Sequence, residues 1–278
     1  MVFPGGFKDE VKALNFQQTG IAAAAKSGGV AGDGMVTVEG WQPGTPIVLP
    51  NHEVSQLAAG TLDPVAEIGD VLIVCNHAKV NPRNLVVAAF GESFLARRYN
   101  LIEAQPGIIV LTGQSVDPSA LPEPIIVSRE SAQIRKVVGT VFAARMLPIP
   151  PVDVNREFVQ LLDASVVTNL LNGARLFQVK GRSAEPIALE RQFLITREVT
   201  KTLEDVKALD GRPIVAFDED GTRFFKRLHC SWPVAILESL NLDGTTAPEL
   251  LSFDGSLGLP RLTHALEVIG VLFELPQP

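Results

Sequence analysis

Short apolar runs separated by turn residues dominate this chain. Ile68-Gly69-Asp70-Val71-Leu72-Ile73-Val74, Asn84-Leu85-Val86-Val87-Ala88-Ala89-Phe90, Gly107-Ile108-Ile109-Val110-Leu111 and Val137-Val138-Gly139-Thr140-Val141-Phe142 are rich in β-branched and aromatic residues. Gly, Pro, Asn or Asp bounds most of these runs, and such side chains pack well on a pleated surface, so the pattern predicts strands. Asp218-Glu219-Asp220-Gly221 lies between two further runs and predicts a hairpin turn, because Asp-Gly readily supplies positive φ; Gly91-Glu92-Ser93 takes that place earlier in the chain. Over 154–171 the apolar residues Phe158, Leu161, Leu162, Val166 and Leu170 fall near helical spacing, which predicts a helix beginning after Pro148, Pro150 and Pro151. A short helix over 8–16 is also expected, followed by a flexible Ala/Gly-rich stretch over 20–34.

The runs occur twice in one order. The first series starts at Gly60-Thr61-Leu62-Asp63-Pro64, passes through Leu95-Ala96-Arg97-Arg98-Tyr99 and closes on Val137–Phe142. The second starts at Arg182-Ser183-Ala184-Glu185-Pro186 and continues through Arg191-Gln192-Phe193-Leu194-Ile195, Arg212-Pro213-Ile214-Val215-Ala216-Phe217 and Phe224-Phe225-Lys226-Arg227-Leu228. It closes on Pro233-Val234-Ala235-Ile236-Leu237 and Val268-Ile269-Gly270-Val271-Leu272-Phe273. Matching positions lie 122 residues apart at Thr61/Ser183 and 131 apart at Gly139/Gly270, with the extra length expected in a loop around 198–210. A tandem repeat of one β-rich unit follows.

Composition narrows the function classes. Across 278 residues, 24 Lys and Arg face 31 Asp and Glu, for a net charge of −7, which argues against a nucleic-acid-binding surface. No pair of amphipathic helices around a tight turn is present to read DNA. Two cysteines and four scattered histidines offer neither a disulfide framework nor metal-ligand spacing. Ala31-Gly32-Asp33-Gly34 follows no strand and forms no dinucleotide or phosphate-loop motif, so no cofactor and no metal are expected. No apolar run reaches membrane-span length and the start lacks signal-peptide character, so a cytoplasmic protein without membrane association is expected.

The candidate chemistry is a serine and a lysine. Ser183 stands in a Gly/Pro-bracketed turn, and Lys226 follows at the end of a strand-patterned stretch. Burial disfavours the charged form of an amine, and a neutral lysine can take a serine hydroxyl proton to create a nucleophile. Ser-Lys pairs are a variant of the triad logic that needs no histidine. Taken singly, each residue has an ordinary reading, as a turn serine and as a solvated strand-end charge.

Gly181, Ser183, Pro186 and Lys226-Arg227-Leu228, in that order, resemble the LexA-like serine peptidase family. This family includes self-cleaving repressors and UmuD-type proteins and shares a β-rich fold with signal peptidases. The family pattern is a Gly-x-Ser-Met-x-Pro turn, a Gly-Asp-led strand, a hairpin and a lysine opening Lys-Arg-Leu. The second series departs at Ala184 and at Arg191-Gln192, whereas the first keeps Gly69-Asp70 and Pro64 but has Thr61 and Arg97 in the reacting positions. The resemblance implies a mainly β protein of two tandem LexA-like domains joined by a short helical linker. Residues 1–40 are then a flexible N-terminal segment, 41–147 a degenerate domain, 148–174 the linker with its helix, and 175–278 the domain with the Ser/Lys pair.

By the same resemblance Ser183 is the nucleophile, Lys226 the general base, and the Ser183 backbone N–H part of an oxyanion hole. Arg97 stays protonated and cannot serve as a base. Two functions stay open. One is a Ser/Lys peptidase, self-processing or acting on one partner protein in a regulatory or stress-response setting. The other is a catalytically inactive regulatory or assembly module that binds a partner or pairs as a homodimer or intrachain pseudo-dimer. Val30-Ala31-Gly32 resembles a self-cleavage site, either a relic or a substrate of the Ser183/Lys226 cleft, and its ordinary reading is a flexible-linker dipeptide.

Overall fold

The computed structural model describes residues 12–13, 52–91, 93–144, 146–148, 159–179, 184–198, 202–241 and 247–274. The protein is mainly β, as the runs of β-branched residues predict. The chain divides into two compact units, Ile47–Leu170 with Glu274–Pro278, and Met1–Pro46 with Leu171–Phe273. The first strand, β1 (Lys12–Ala13), belongs to the second of these.

The Ile47–Leu170 unit contains β2 (His52–Leu57), β3 (Val71–Cys75), β4 (Leu85–Phe90), β5 (Ser93–Ile102), β6 (Gln105–Thr112), β7 (Ile125–Ser128), β8 (Gln133–Val141) and β9 (Val159–Leu162), then helix α1 (Ala164–Leu170). Its strands pair antiparallel in the order β9-β2-β3-β8-β4-β5-β6-β7. The other unit contains β10 (Arg175–Gln178), β11 (Phe193–Glu198), helix α2 (Leu203–Lys207), β12 (Pro213–Asp218), β13 (Arg223–Ser231), β14 (Val234–Glu238), β15 (Glu249–Ser252) and β16 (Leu262–Leu272). Its order is β1-β10-β11-β16-β12-β13-β14-β15. The two ladders have one strand order, with β2 to β8 answering β10 to β16.

Finer details repeat as well. A register shift falls between Ile73 and Val74 on β3 and between Ile195 and Thr196 on β11, each opposite the strand that carries the repeated glycine. Leu57 N donates to Asp70 O and Val179 N to Gln192 O, both at 2.8 Å. Positive φ occurs at Gly69 (94°) and again at Arg191 (71°), its counterpart 122 residues on. The apolar faces correspond too. Val86, Ala88, Leu95, Tyr99, Ile109 and Leu111 form a core cluster in one unit. Ile214, Ala216, Phe224, Leu228, Ala235 and Leu237 take part in one in the other.

Three local expectations change. Among the described residues the helix expected over 154–171 is confined to α1, and Val159–Leu162 instead forms β9, whose residues Val159 to Leu162 face Leu57 to Val54. An open edge on β2, with its row of unpaired backbone groups, outweighs the helical spacing of those side chains. Within 8–16, Lys12–Ala13 is a strand and the rest lies outside the described residues. The longer loop expected around 198–210 holds α2, started by a capping box in which Thr202 and Asp205 exchange side-chain and backbone hydrogen bonds. The Asp218–Gly221 hairpin joins β12 to β13 with Gly221 at φ 77°. Among the described residues no helix is long and apolar enough to cross a membrane.

Candidate functional site

Lys226 lies in the middle of β13, opposite Ile214 on β12. Side chains alternate along a strand, so Lys226 shares its face with Phe224 and Leu228. Both belong to the apolar cluster around Ile214 and Ala216. The lysine is 2 % exposed. It is therefore a core residue, and the reading of a solvated strand-end charge does not hold; its neighbour Arg227 points outward and is exposed. Ser183 lies outside the described residues, together with Lys180, Gly181 and Arg182.

The chain on either side of Ser183 is described, and it repeats the first copy bond for bond. Arg191 N donates to Val179 O at 2.9 Å, as Gly69 N donates to Leu57 O at 2.8 Å. Ala188 N donates to Ala184 O at 3.0 Å, as Ala66 N donates to Leu62 O at 3.3 Å. Gln178 Nε2 reaches Arg191 O at 3.4 Å, and Gln56 Nε2 reaches Gly69 O at 2.9 Å.

The first copy displays its own version of the pair completely. Thr61 is 3 % exposed, and its Oγ1 donates to the Ala96 carbonyl at 2.9 Å. The Thr61 carbonyl in turn accepts from Gln114 N at 2.8 Å. The turn is thus pinned against β5 at the residue before Arg97. Arg97 is 1 % exposed and shares its strand face with Leu95 and Tyr99. A methyl group on Gly113 would stand 2.7 Å from Arg97 Nη1 and from the Pro122 ring, so only glycine fits beside this guanidinium. The fold therefore sets Thr61 against the carbonyl of Ala96, the residue before Arg97. Both side chains are buried, and the guanidinium stays protonated and cannot act as a base.

Two residues of the site have roles that the sequence did not reveal. The first is Gln192, which takes the place of Asp70. Glu67 N donates to Asp70 Oδ2 at 2.8 Å, and Leu189 N donates to Gln192 Oε1 at the same distance. The amide oxygen thus does the work of the carboxylate, and the signal was an acceptor-bearing side chain at an unchanged spacing. The second is Glu267 on β16, which faces Ile214 from the side opposite Lys226. It is buried and bonded to Arg197 at 2.7 Å and also to Arg212. Two guanidinium groups thus compensate this carboxylate in the same cross-strand row as Lys226.

Other groups fit catalysis less well. Burial pushes the Cys230 thiol up to about 11, helped by the negative charge of Asp210, so it stays protonated and weakly nucleophilic near neutral pH. Burial also raises the Asp70 carboxyl to about 6, against the lowering effect of backbone donors at Glu67 and Ala144. Among the described residues no group of three His, Cys, Asp or Glu side chains could hold a metal ion. In comparison with known proteins, the chain matches no family model, no curated protein and no solved structure.

Proposed function

We propose that the chain is a LexA-like Ser/Lys peptidase made of two tandem β-rich domains, the first degenerate, joined by the short segment that carries α1. In this reading Ser183 is the nucleophile and Lys226 the general base. The observation that carries it is the burial of Lys226 between Phe224 and Leu228 on its strand face, at the ladder position that corresponds to Arg97, the residue after the Ala96 carbonyl that Thr61 bonds. Burial is the condition under which an amine can act as a base, because loss of hydration disfavours its charged form. The neutral Nζ takes the Ser183 hydroxyl proton while Oγ adds to the scissile carbonyl carbon. The protonated amine then gives that proton to the leaving nitrogen as the C–N bond breaks, leaving an ester. Water, deprotonated by the same amine, hydrolyses the ester and frees Ser183. The Ser183 backbone N–H would help bind the oxyanion.

The substrate class that goes with this site is a protein or peptide, either the chain itself or one partner, in a cytoplasmic regulatory or stress-response setting. A fluorophosphonate probe followed by peptide mapping tests the nucleophile. One adduct on Ser183, absent from Ser183→Ala, is expected; an intact wild-type chain with no adduct at alkaline pH would contradict the reading.

A second reading is supported by the first copy itself. Thr61 and Arg97 are buried in a complete ladder, and Arg97 cannot take the lysine's part as a base, so the fold in that copy serves something other than Ser/Lys chemistry. A catalytically inactive regulatory or assembly module, acting as a homodimer or an intrachain pseudo-dimer, follows if the second copy is idle as well. It predicts that Ser183→Ala leaves partner capture and oligomeric state unchanged.

A further inference from the structure

Two short segments match each other at a spacing outside the main repeat. Lys8-Asp9-Glu10-Val11-Lys12-Ala13-Leu14-Asn15 aligns with Arg156-Glu157-Phe158-Val159-Gln160-Leu161-Leu162-Asp163 at an offset of 148. The Val and Leu positions are identical, and the Lys/Arg, Asp/Glu and Asn/Asp positions keep their chemistry. The strands inside these segments occupy one place in the two ladders. Gln160 and Leu161 of β9 face Gln56 and Ser55 of β2. Lys12 and Ala13 of β1 face Gln178 and Phe177 of β10. Because Gln178 and Phe177 answer Gln56 and Ser55 at the 122-residue offset, sequence alignment and strand register agree without any slip. A shift of one residue would have moved every side chain to the other face.

The connectivity is reciprocal. The segment preceding the first body pairs with the second, and the segment preceding the second body pairs with the first. We propose that β1 and β9, which lie at the 148-residue offset of this sequence match, are one repeated docking strand, and that the edges of β2 and β10 are strand-addition sites, each occupied by the strand that precedes the other copy. Backbone hydrogen bonds hold such a strand, and a buried side chain fixes its position. On β9 that anchor is Val159, 8 % exposed, while Gln160 and Leu161 are exposed. The chemistry each edge recognises is therefore an extended segment with Val and Leu three apart, supplied by this chain. Docking also covers an edge that would otherwise pair with other chains. The inference is independent of whether Ser183 reacts.

Cross-linking in the full chain tests it. In a Cys75→Ser/Cys230→Ser background, Lys12→Cys with Gln178→Cys should oxidise to a monomer-sized product linked between positions 12 and 178. Lys12→Cys with Gln56→Cys, the corresponding position on β2, should give no link. Absence of the 12–178 link, a link formed only between chains, or equal linking to position 56 would overturn the proposal. Amide exchange gives a readout free of cysteine substitutions. Ala13→Pro should accelerate exchange in peptides covering 175–178 about tenfold and leave 53–57 unchanged, and Gln160→Pro should do the converse. Unchanged exchange at 175–178 in Ala13→Pro would equally overturn it.

Discussion

Lys226 and Arg97 occupy corresponding places on β13 and β5, yet one can lose its proton and the other cannot. If Lys226 is kept for chemistry, a linear apolar side chain should serve the fold at least as well. Lys226→Met is expected to abolish labelling of Ser183 while leaving urea stability unchanged or raised by about 1 kcal/mol, because active-site residues are often held at the expense of stability. A large loss of stability would make Lys226 a structural tie instead. Packing around Arg97 gives a second expectation. Gly113→Ala places a methyl 2.7 Å from both Arg97 Nη1 and the Pro122 ring, which should cost about 1–3 kcal/mol by overpacking, read from the denaturation midpoint. Asp70 gives a third. Folded Asp70 holds its proton up to about pH 6, whereas the unfolded side chain releases it near 3.8. The folded state therefore binds more protons between those values, and the stability Asp70 contributes is full below about pH 4 and lost as pH rises through 6. The change is of order 3 kcal/mol. Asp70→Asn should flatten that fall in urea midpoints measured from pH 4 to 6; an unchanged slope would assign it to other groups. Gln192 shows why such a site is only partly legible. As letters, Arg191-Gln192 looks like the loss of Gly69-Asp70. As backbone, Arg191 adopts the same positive φ and Gln192 the same hydrogen bond.

At the scale of elements, β-branched content and turn residues predicted the strands well, because each run must bury one face and is cut by residues that suit turns. The hairpin at Asp218–Gly221 was equally legible, since Gly221 supplies the positive φ the turn needs. The segment Val159–Leu162 was not. Phe158, Leu161, Leu162, Val166 and Leu170 satisfy helical spacing, but the β2 partners of Leu161 and Leu162, Ser55 and Val54, lie about a hundred positions away in sequence and decide the outcome. No window confined to 154–171 contains that information. Helix α2 illustrates the opposite case, a short element held by local chemistry. Thr202→Ala removes the side-chain acceptor for Asp205 N and should cost about 1 kcal/mol locally. It should appear as faster amide exchange over 203–208 with little change elsewhere.

At the scale of the whole molecule, one strand order occurs twice, with the register shift, the positive-φ turn and the buried basic residue in matching places. The repeat was readable because strand cores and turn residues keep their types over an offset that drifts only from 122 to 131. The docking strands were hidden because their offset is 148 and because each pairs with the other copy's body. At corresponding sequence positions one series has Thr61 and Arg97 and the other Ser183 and Lys226. The proposed division of labour is that only the second performs acyl transfer. The pH dependence of fluorophosphonate labelling at Ser183, in the natural chain and in Lys226→Ala, tests that claim most directly. The account predicts a rate that rises with pH as the amine loses its proton and falls about a hundredfold or more in the variant. A rate unaffected by Lys226→Ala, or a natural chain that never labels, would contradict it.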